Sequence, residues 1–316
     1  MARPARSLPT RPAQTRGHGM QTSQTSQAKE THFHLDTQDG HRIEAHRWQG
    51  GAPPRAVVQI AHGMGEHSLR YRALAEVLVA AGYVVYANEH RGHGADAAAS
   101  GTLGDFGPRG FAALVDDMAV LSRYVLEQHD GLPLILFGHS MGSFAAQCYL
   151  VEHSGLLAGV SLSGTTAVDL LAAAAQAGFK LEDLNATLPD SRTPFDWLSR
   201  DPAQVDAYIA DPLCGFTVMP ESRVSIFTEC ARLAQPETLT RIRPALPIYL
   251  FTGDHDPVNN RLAWFEPLCA RYRAAGQTDV TSHVFGGARH ETLNETNRAE
   301  VMAVLCAWIE RVVSSR

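Results

Sequence analysis

The sequence predicts an α/β fold: a mostly parallel central sheet with helices on both faces and a helical lid inserted between two of its strands. Three observations carry this. From Ala56 onward, near-continuous apolar β-rich runs alternate with helical patterns, as expected of parallel strands buried on both faces. A hairpin signal precedes them and adds antiparallel strands at one edge. Between the strand patterns ending at Leu162 and starting at Pro247 lies a stretch too long for a simple crossover.

Taken in order, residues 1–30 read as a disordered N-terminal extension, with Met20 a candidate second start. They carry Arg3, Arg6, Arg11, Arg16 and Lys29, no acid before Glu30, several prolines, and no apolar core of a secretory signal. His32–Asp36 and Arg42–Trp48 alternate around Asp39-Gly40, a hairpin. Strands are expected at Ala56–Ile60, Tyr83–Ala87, Leu132–Phe137, Leu157–Leu162, Pro247–Phe251 and Val280–Phe285. Helices are expected at Tyr71–Ala81, Phe111–Gln128, Gly142–Glu152, Arg261–Ala275 and Arg298–Val313. The insertion, residues 165–244, holds helical patterns at Val168–Ala177, Val205–Ala210 and Arg223–Leu233, broken by Pro189, Pro194, Pro202 and Pro212. Residues 31–164 and 245–316 then form the core, and 165–244 a helical cap. The cap's Leu170, Leu171, Phe179 and Leu181 either line an acyl channel or pack on the sheet.

Composition narrows the function classes. The 316 residues are 45% hydrophobic and 19% charged, ordinary for a globular protein. A net charge of -6 without basic runs argues against a nucleic-acid partner. No apolar run approaches the roughly 20 residues of a membrane span. The five cysteines, Cys148, Cys214, Cys230, Cys269 and Cys306, are dispersed and odd in number, which points to a reducing, cytoplasmic setting rather than a disulfide framework.

Chemistry enters at Gly138-His139-Ser140-Met141-Gly142, a G-x-S-x-G that ends a predicted strand and opens a predicted helix. That context exposes the serine on a sharp turn at a helix N-terminus. A serine hydroxyl needs a base, and His290, in the loop after the last strand, stands where the chain order Ser, acid, His requires one. His283 competes but lies within the strand pattern. The acid belongs after the preceding strand, where Asp254 and Asp256 both qualify. The oxyanion donors expected are the backbone amides of Met64, in the Gly-rich loop after Ala56–Ile60, and Met141. The histidines of Glu89-His90-Arg91-Gly92-His93-Gly94 and the pair His62/His67 lack metal-site spacing, so they are expected to brace loops through hydrogen bonds, with no metal.

With these residues in view, the sequence resembles the monoacylglycerol lipase and lysophospholipase-like branch of the α/β-hydrolases, sometimes grouped with serine aminopeptidase-type hydrolases. The likeness spans Thr31 to Val313. It rests on His62-Gly63-Met64-Gly65-Glu66-His67, the Glu89–Gly94 run, the Ser140 motif, Gly253-Asp254-His255-Asp256-Pro257-Val258, and Ala288-Arg289-His290-Glu291 with Leu293-Asn294-Glu295. The resemblance implies an α/β-hydrolase fold, and it implies Asp256 as the acid, since the family's aspartate stands three residues after the strand-end glycine. It also implies oxyanion amides at Met64 and Met141 and the base at His290. Asn88-Glu89 departs from the aspartate that commonly precedes the following histidine. The implied activity is hydrolysis of a small acyl ester with no cofactor; transient lipid-surface contact through the cap is an open alternative that the resemblance does not decide. Peptidase, thioesterase and carbon–carbon hydrolase activities use the same triad. A non-catalytic binding module typically lacks a triad member, and here all three positions are filled. Oligomeric state is not legible in the sequence.

Overall fold

The structure is a computed structural model that describes residue 1, residues 28–186, residue 188 and residues 191–316. Its chain begins with the expected hairpin, β1 (Lys29–Asp36) and β2 (Arg42–Gln49). There follow β3 (Ala56–Ala61), α1 (Arg72–Ala80), β4 (Tyr83–Asn88), α2 (Gly94–Ser100), α3 (Gly110–Gln128), β5 (Leu134–His139), α4 (Met141–His153) and β6 (Gly159–Ser163). The stretch between β6 and the next strand holds α5 (Val168–Gln176), α6 (Pro202–Ala210), α7 (Pro220–Cys230) and α8 (Pro236–Leu239). The chain closes with β7 (Ile248–Gly253), α9 (Phe265–Ala274), β8 (Val280–Phe285) and α10 (Arg298–Ser314).

The strands form one sheet in the order β1-β2-β4-β3-β5-β6-β7-β8. β2 runs antiparallel to β1 and β4, and every pairing from β4 to β8 is parallel. Every residue of β3, β4, β5 and β7 is buried. Alternate residues feed two cores: Val57, Val84 and Leu136 meet α3 and α4 on one face, and Val58, Val85 and Phe137 meet α1 and α10 on the other. Burial on both faces is why these strands read as near-continuous apolar runs.

Several boundaries differ from expectation. Lys29 and Glu30 belong to β1, paired with Gln49 and Trp48, so the extension is shorter than 1–30. The rest of it, residues 2–27 with Met20, lies outside the described residues, as does Pro189. The helix expected from Arg261 starts at Phe265, because Asn260, Arg261 and Leu262 all take positive φ, which no right-handed helix admits. Neither α2 nor α8 was expected from the sequence.

Between β6 and β7, α7 packs on α3 and α4, and Trp197, Tyr208, Val218 and Ile226 join the same core as α3 and α4. Leu170, Leu171 and Phe179 are partly buried against it. No helix among the described residues is long and apolar enough to cross a membrane. All five cysteines are unpaired.

Phe251 is fully buried among the rings of Phe137, Tyr249 and Phe285, at 6.3, 5.1 and 6.0 Å between centroids. Phe251→Ala is therefore expected to lower stability by about 3–5 kcal/mol, seen as a lower urea midpoint at unchanged slope. A loss below about 1 kcal/mol would contradict this packing.

Candidate active site

Ser140 sits on the turn from β5 into α4 with φ 50° and ψ -122°, a conformation that costs a non-glycine residue about 1–3 kcal/mol. Its surroundings enforce it. The Ser140 N–H donates to Ser163 O at 3.0 Å, and Ser140 O accepts from the Ser143 and Phe144 amides at 2.8 and 3.1 Å. A Cβ on Gly142 would collide with the Ala61 and His62 carbonyl oxygens, and one on Gly138 would lie 2.6 Å from Gly142 O. The turn is thus pressed onto the end of β3, and only glycines fit. Ser140 stays partly exposed while Met141 behind it is buried.

His290 follows β8, and Asp256 follows β7. His290 Nδ1 lies 3.0 Å from both Asp256 carboxylate oxygens. Asp256 is fully buried and also accepts from Thr252 Oγ1 at 2.9 Å, the Val258 amide at 2.9 Å and Asn259 Nδ2 at 3.3 Å. A carboxylate is an acceptor only, so Nδ1 carries the imidazole proton and Nε2 offers its lone pair. That Nε2 is buried and has no hydrogen-bond partner among the described residues. Burial disfavours the imidazolium, but Asp256 outweighs it and raises the His290 pKa above the ordinary 6.5. The ring lies against Gly164, the residue after the carbonyl that holds Ser140, and between the rings of His139 and Trp197, at 4.8 and 5.1 Å. Burial, reinforced by His290, pushes His139 down to about 4, so it stays neutral beside the base.

The rival candidates have other partners. Asp254 is partly exposed, and its Oδ1 accepts from the Gly287 amide and lies within hydrogen-bond distance of His255 Nδ1, both at 2.7 Å. His283 stands on β8 with its ring against Phe285, at 4.3 Å.

The loop carrying Met64 runs beside the serine: a Cβ on Gly63 would lie 3.2 Å from Ser140 Cβ. Neither the Met64 nor the Met141 amide has an acceptor among the described residues. The histidine-rich loops are braced by hydrogen bonds, as expected. His62 Nε2 accepts from the His90 amide at 3.0 Å, and His93 Nε2 accepts from the Gly65 amide at 3.1 Å. Gly65 O in turn accepts from Tyr208 Oη at 2.8 Å and the Gly215 amide at 2.9 Å, which fastens the segment after β6 to this loop. Next to it, His67, Asp211 and Cys214 bring three potential metal ligands within 4.8 Å.

Sequence reasoning missed a clamp. Arg70 donates to Glu66 Oε2 at 2.6 Å and to both oxygens of Glu291, at 2.6 and 2.8 Å. Glu66 Oε1 also accepts from the Gly63 amide at 2.5 Å and Tyr71 Oη at 2.7 Å. Burial works to raise the Glu66 pKa, but Arg70 and nearby histidines hold it down at about 2. The Met64 loop and the His290 loop are therefore joined through one guanidinium. The Glu66/Arg70 spacing of four was the available signal.

A strained serine at a strand-to-helix turn and a buried acid–histidine pair at later strand ends make this an α/β-hydrolase. The chain belongs to the hydrolase family described as serine aminopeptidase, S33, whose model matches residues 52–297. It is 32% identical over 276 residues to a monoacylglycerol lipase of Mycolicibacterium smegmatis, covering 85% of this chain and 93% of that one. It is 33% identical to the monoglyceride lipase of Homo sapiens, covering 81% and 82%. Its fold is similar to the crystal structure of a highly thermostable carboxyl esterase from Bacillus coagulans, with TM-score 0.80 and 30% identity, over 90% of this chain and 99% of that one.

Arg70→Met leaves two buried carboxylates without their cation. The expected loss of stability is about 3–5 kcal/mol by chemical denaturation, and a change within about 0.5 kcal/mol would rule out the clamp as described.

Proposed function

We propose that this carboxylic ester hydrolase works through Ser140 as nucleophile, His290 as general base and Asp256 as the group that orients it. The observation that carries this reading is His290 itself: Nδ1 held by both oxygens of Asp256 at 3.0 Å, Nε2 buried and free to take a proton. Ser140 Oγ attacks the ester carbonyl and its proton passes to Nε2. Asp256 stabilises the imidazolium, and the Met64 and Met141 amides receive the oxyanion. His290 returns the proton to the departing alcohol. Water, deprotonated by the same Nε2, then releases the acid from Ser140.

The substrate we propose is a monoacylglycerol or a lysophospholipid-like or other short-to-medium acyl ester, in keeping with the names of the relatives. We divide the chain into a core of residues 31–164 and 245–316 and a cap of residues 165–244. Among the described residues, three of the six exposed large hydrophobic side chains, Ile209, Met219 and Val224, belong to this cap. We further propose that the cap makes transient contact with a lipid surface.

The test is hydrolysis of p-nitrophenyl esters of graded chain length and of monoacylglycerols by the wild type and Ser140→Ala. Turnover by the wild type and a fall of about 10⁶ in kcat in the variant are expected. Hydrolysis of thioesters or amides alone would overturn the ester reading.

The pH dependence follows from His290, which must be neutral to accept the proton. Activity is expected to fall with decreasing pH around a midpoint above 6.5, the ordinary histidine value. Asp256→Asn removes the carboxylate that raises this pKa, so the limb moves to lower pH and kcat drops about 10⁴-fold. A pH profile unmoved by Asp256→Asn contradicts the assignment of the acid.

A further inference from the structure

The β1–β2 hairpin carries a cluster that ester hydrolysis does not use. In its register His32 faces His46 and His34 faces Glu44, so these four side chains share one face of the sheet. His32 Nε2 lies 3.2 Å from Glu44 Oε1, and His46 Nε2 lies 3.9 Å from the same oxygen. One ligand atom from each of His32, Glu44 and His46 falls within 4.8 Å of the others.

Glu44 is 7% exposed. Its Oε2 accepts the Asp96 amide at 3.0 Å, which leaves Oε1 turned to the two imidazoles. Among the described residues its ion-pair partners are histidines only, with no lysine or arginine. Two further carboxylates flank His46, Glu89 at 3.8 Å and Glu30 at 4.0 Å. A buried carboxylate whose neighbours are imidazoles and other carboxylates has no permanent cation beside it. Moreover, His46 Nδ1 is buried with no hydrogen-bond partner among the described residues. Glu30 stands where a carboxylate stands behind a ligating histidine, ready to receive Nδ1–H once Nε2 binds a metal.

We propose that His32, Glu44 and His46 form a binding site for a divalent transition-metal ion of the Zn²⁺ type. Two imidazoles and one carboxylate suit zinc, with water completing the tetrahedron on the open side, where His32 is half exposed. Tetrahedral ligands at 2.0–2.1 Å stand about 3.3 Å apart, so the ligand atoms need to close by no more than about 1.5 Å. His32, on the edge strand β1, has room to do so. The bound ion supplies the missing positive charge and cross-links β1 to β2; it takes no part in the ester chemistry.

The test uses full-length, untagged protein freed of metal by chelation and titrated with Co²⁺. One Co²⁺ per chain is expected, with visible ligand-field bands that Zn²⁺ displaces and no thiolate charge-transfer band in the near ultraviolet. His32→Ala and Glu44→Gln should each weaken Co²⁺ binding by about tenfold or more. Circular dichroism checks that both variants are folded, and the half-exposed His32 is the less disruptive of the two. Zn²⁺ should raise the melting temperature of the wild type and leave that of His32→Ala unchanged. Absence of stoichiometric binding, unchanged affinity in His32→Ala, or a thiolate band pointing to His67, Asp211 and Cys214 would each overturn the proposal.

Discussion

The site depends on one buried contact, the pairing of Asp256 with His290. A carboxylate with no solvent exposure is tolerable only if its lone pairs are taken up by donors. Asp256 meets that condition with the Val258 amide, the Thr252 hydroxyl, the Asn259 amide group and the His290 imidazole. The first three come from residues within four positions in sequence, so the β7 end holds the carboxylate before His290 arrives. The imidazole then lies with Cε1 and Nδ1 against Gly164, and its buried Nε2 has no hydrogen-bond partner among the described residues.

Parallel topology makes this convergence possible. β3, β5, β6, β7 and β8 all end at the same edge, and their registers align Ala61 with Gly138, His139 with Ser163, and Gly253 with Phe285. The Met64 loop, Ser140, Asp256 and His290 each lie just beyond one of these strand ends, where open α/β sheets bind ligands. Three separate contacts then lock the loops: Ser140 onto the Ser163 carbonyl, Glu66 through Arg70 onto Glu291, and Gly65 onto Tyr208. The strain at Ser140 is sustained by this over-determined setting.

Much of this was legible in the sequence, and the reasons for success and failure are local. The strands of β3, β4, β5 and β7 announced themselves because burial on both faces forces unbroken apolar runs. Ser140 was legible because the turn tolerates only glycine at 138 and 142. The choice between Asp254 and Asp256 was not, since both are short acids in one loop; it came from family resemblance, and the structure gives Asp254 the Gly287 amide instead. The late start of α9 escaped because apolar periodicity does not report three successive positive φ values at Asn260, Arg261 and Leu262. The Arg70 clamp escaped for a different reason: Glu291 lies 221 positions away, so only the fold brings it within reach.

The most direct test of the central claim is to trap the nucleophile. Protein treated with a fluorophosphonate and digested would be mapped by tandem mass spectrometry. A single phosphonylated residue, Ser140, with stoichiometric loss of esterase activity, is the expected result. Complete inactivation with the adduct on any other residue, or an unmodified Ser140 in fully active protein after exhaustive treatment, would contradict the assignment of Ser140 as the attacking group.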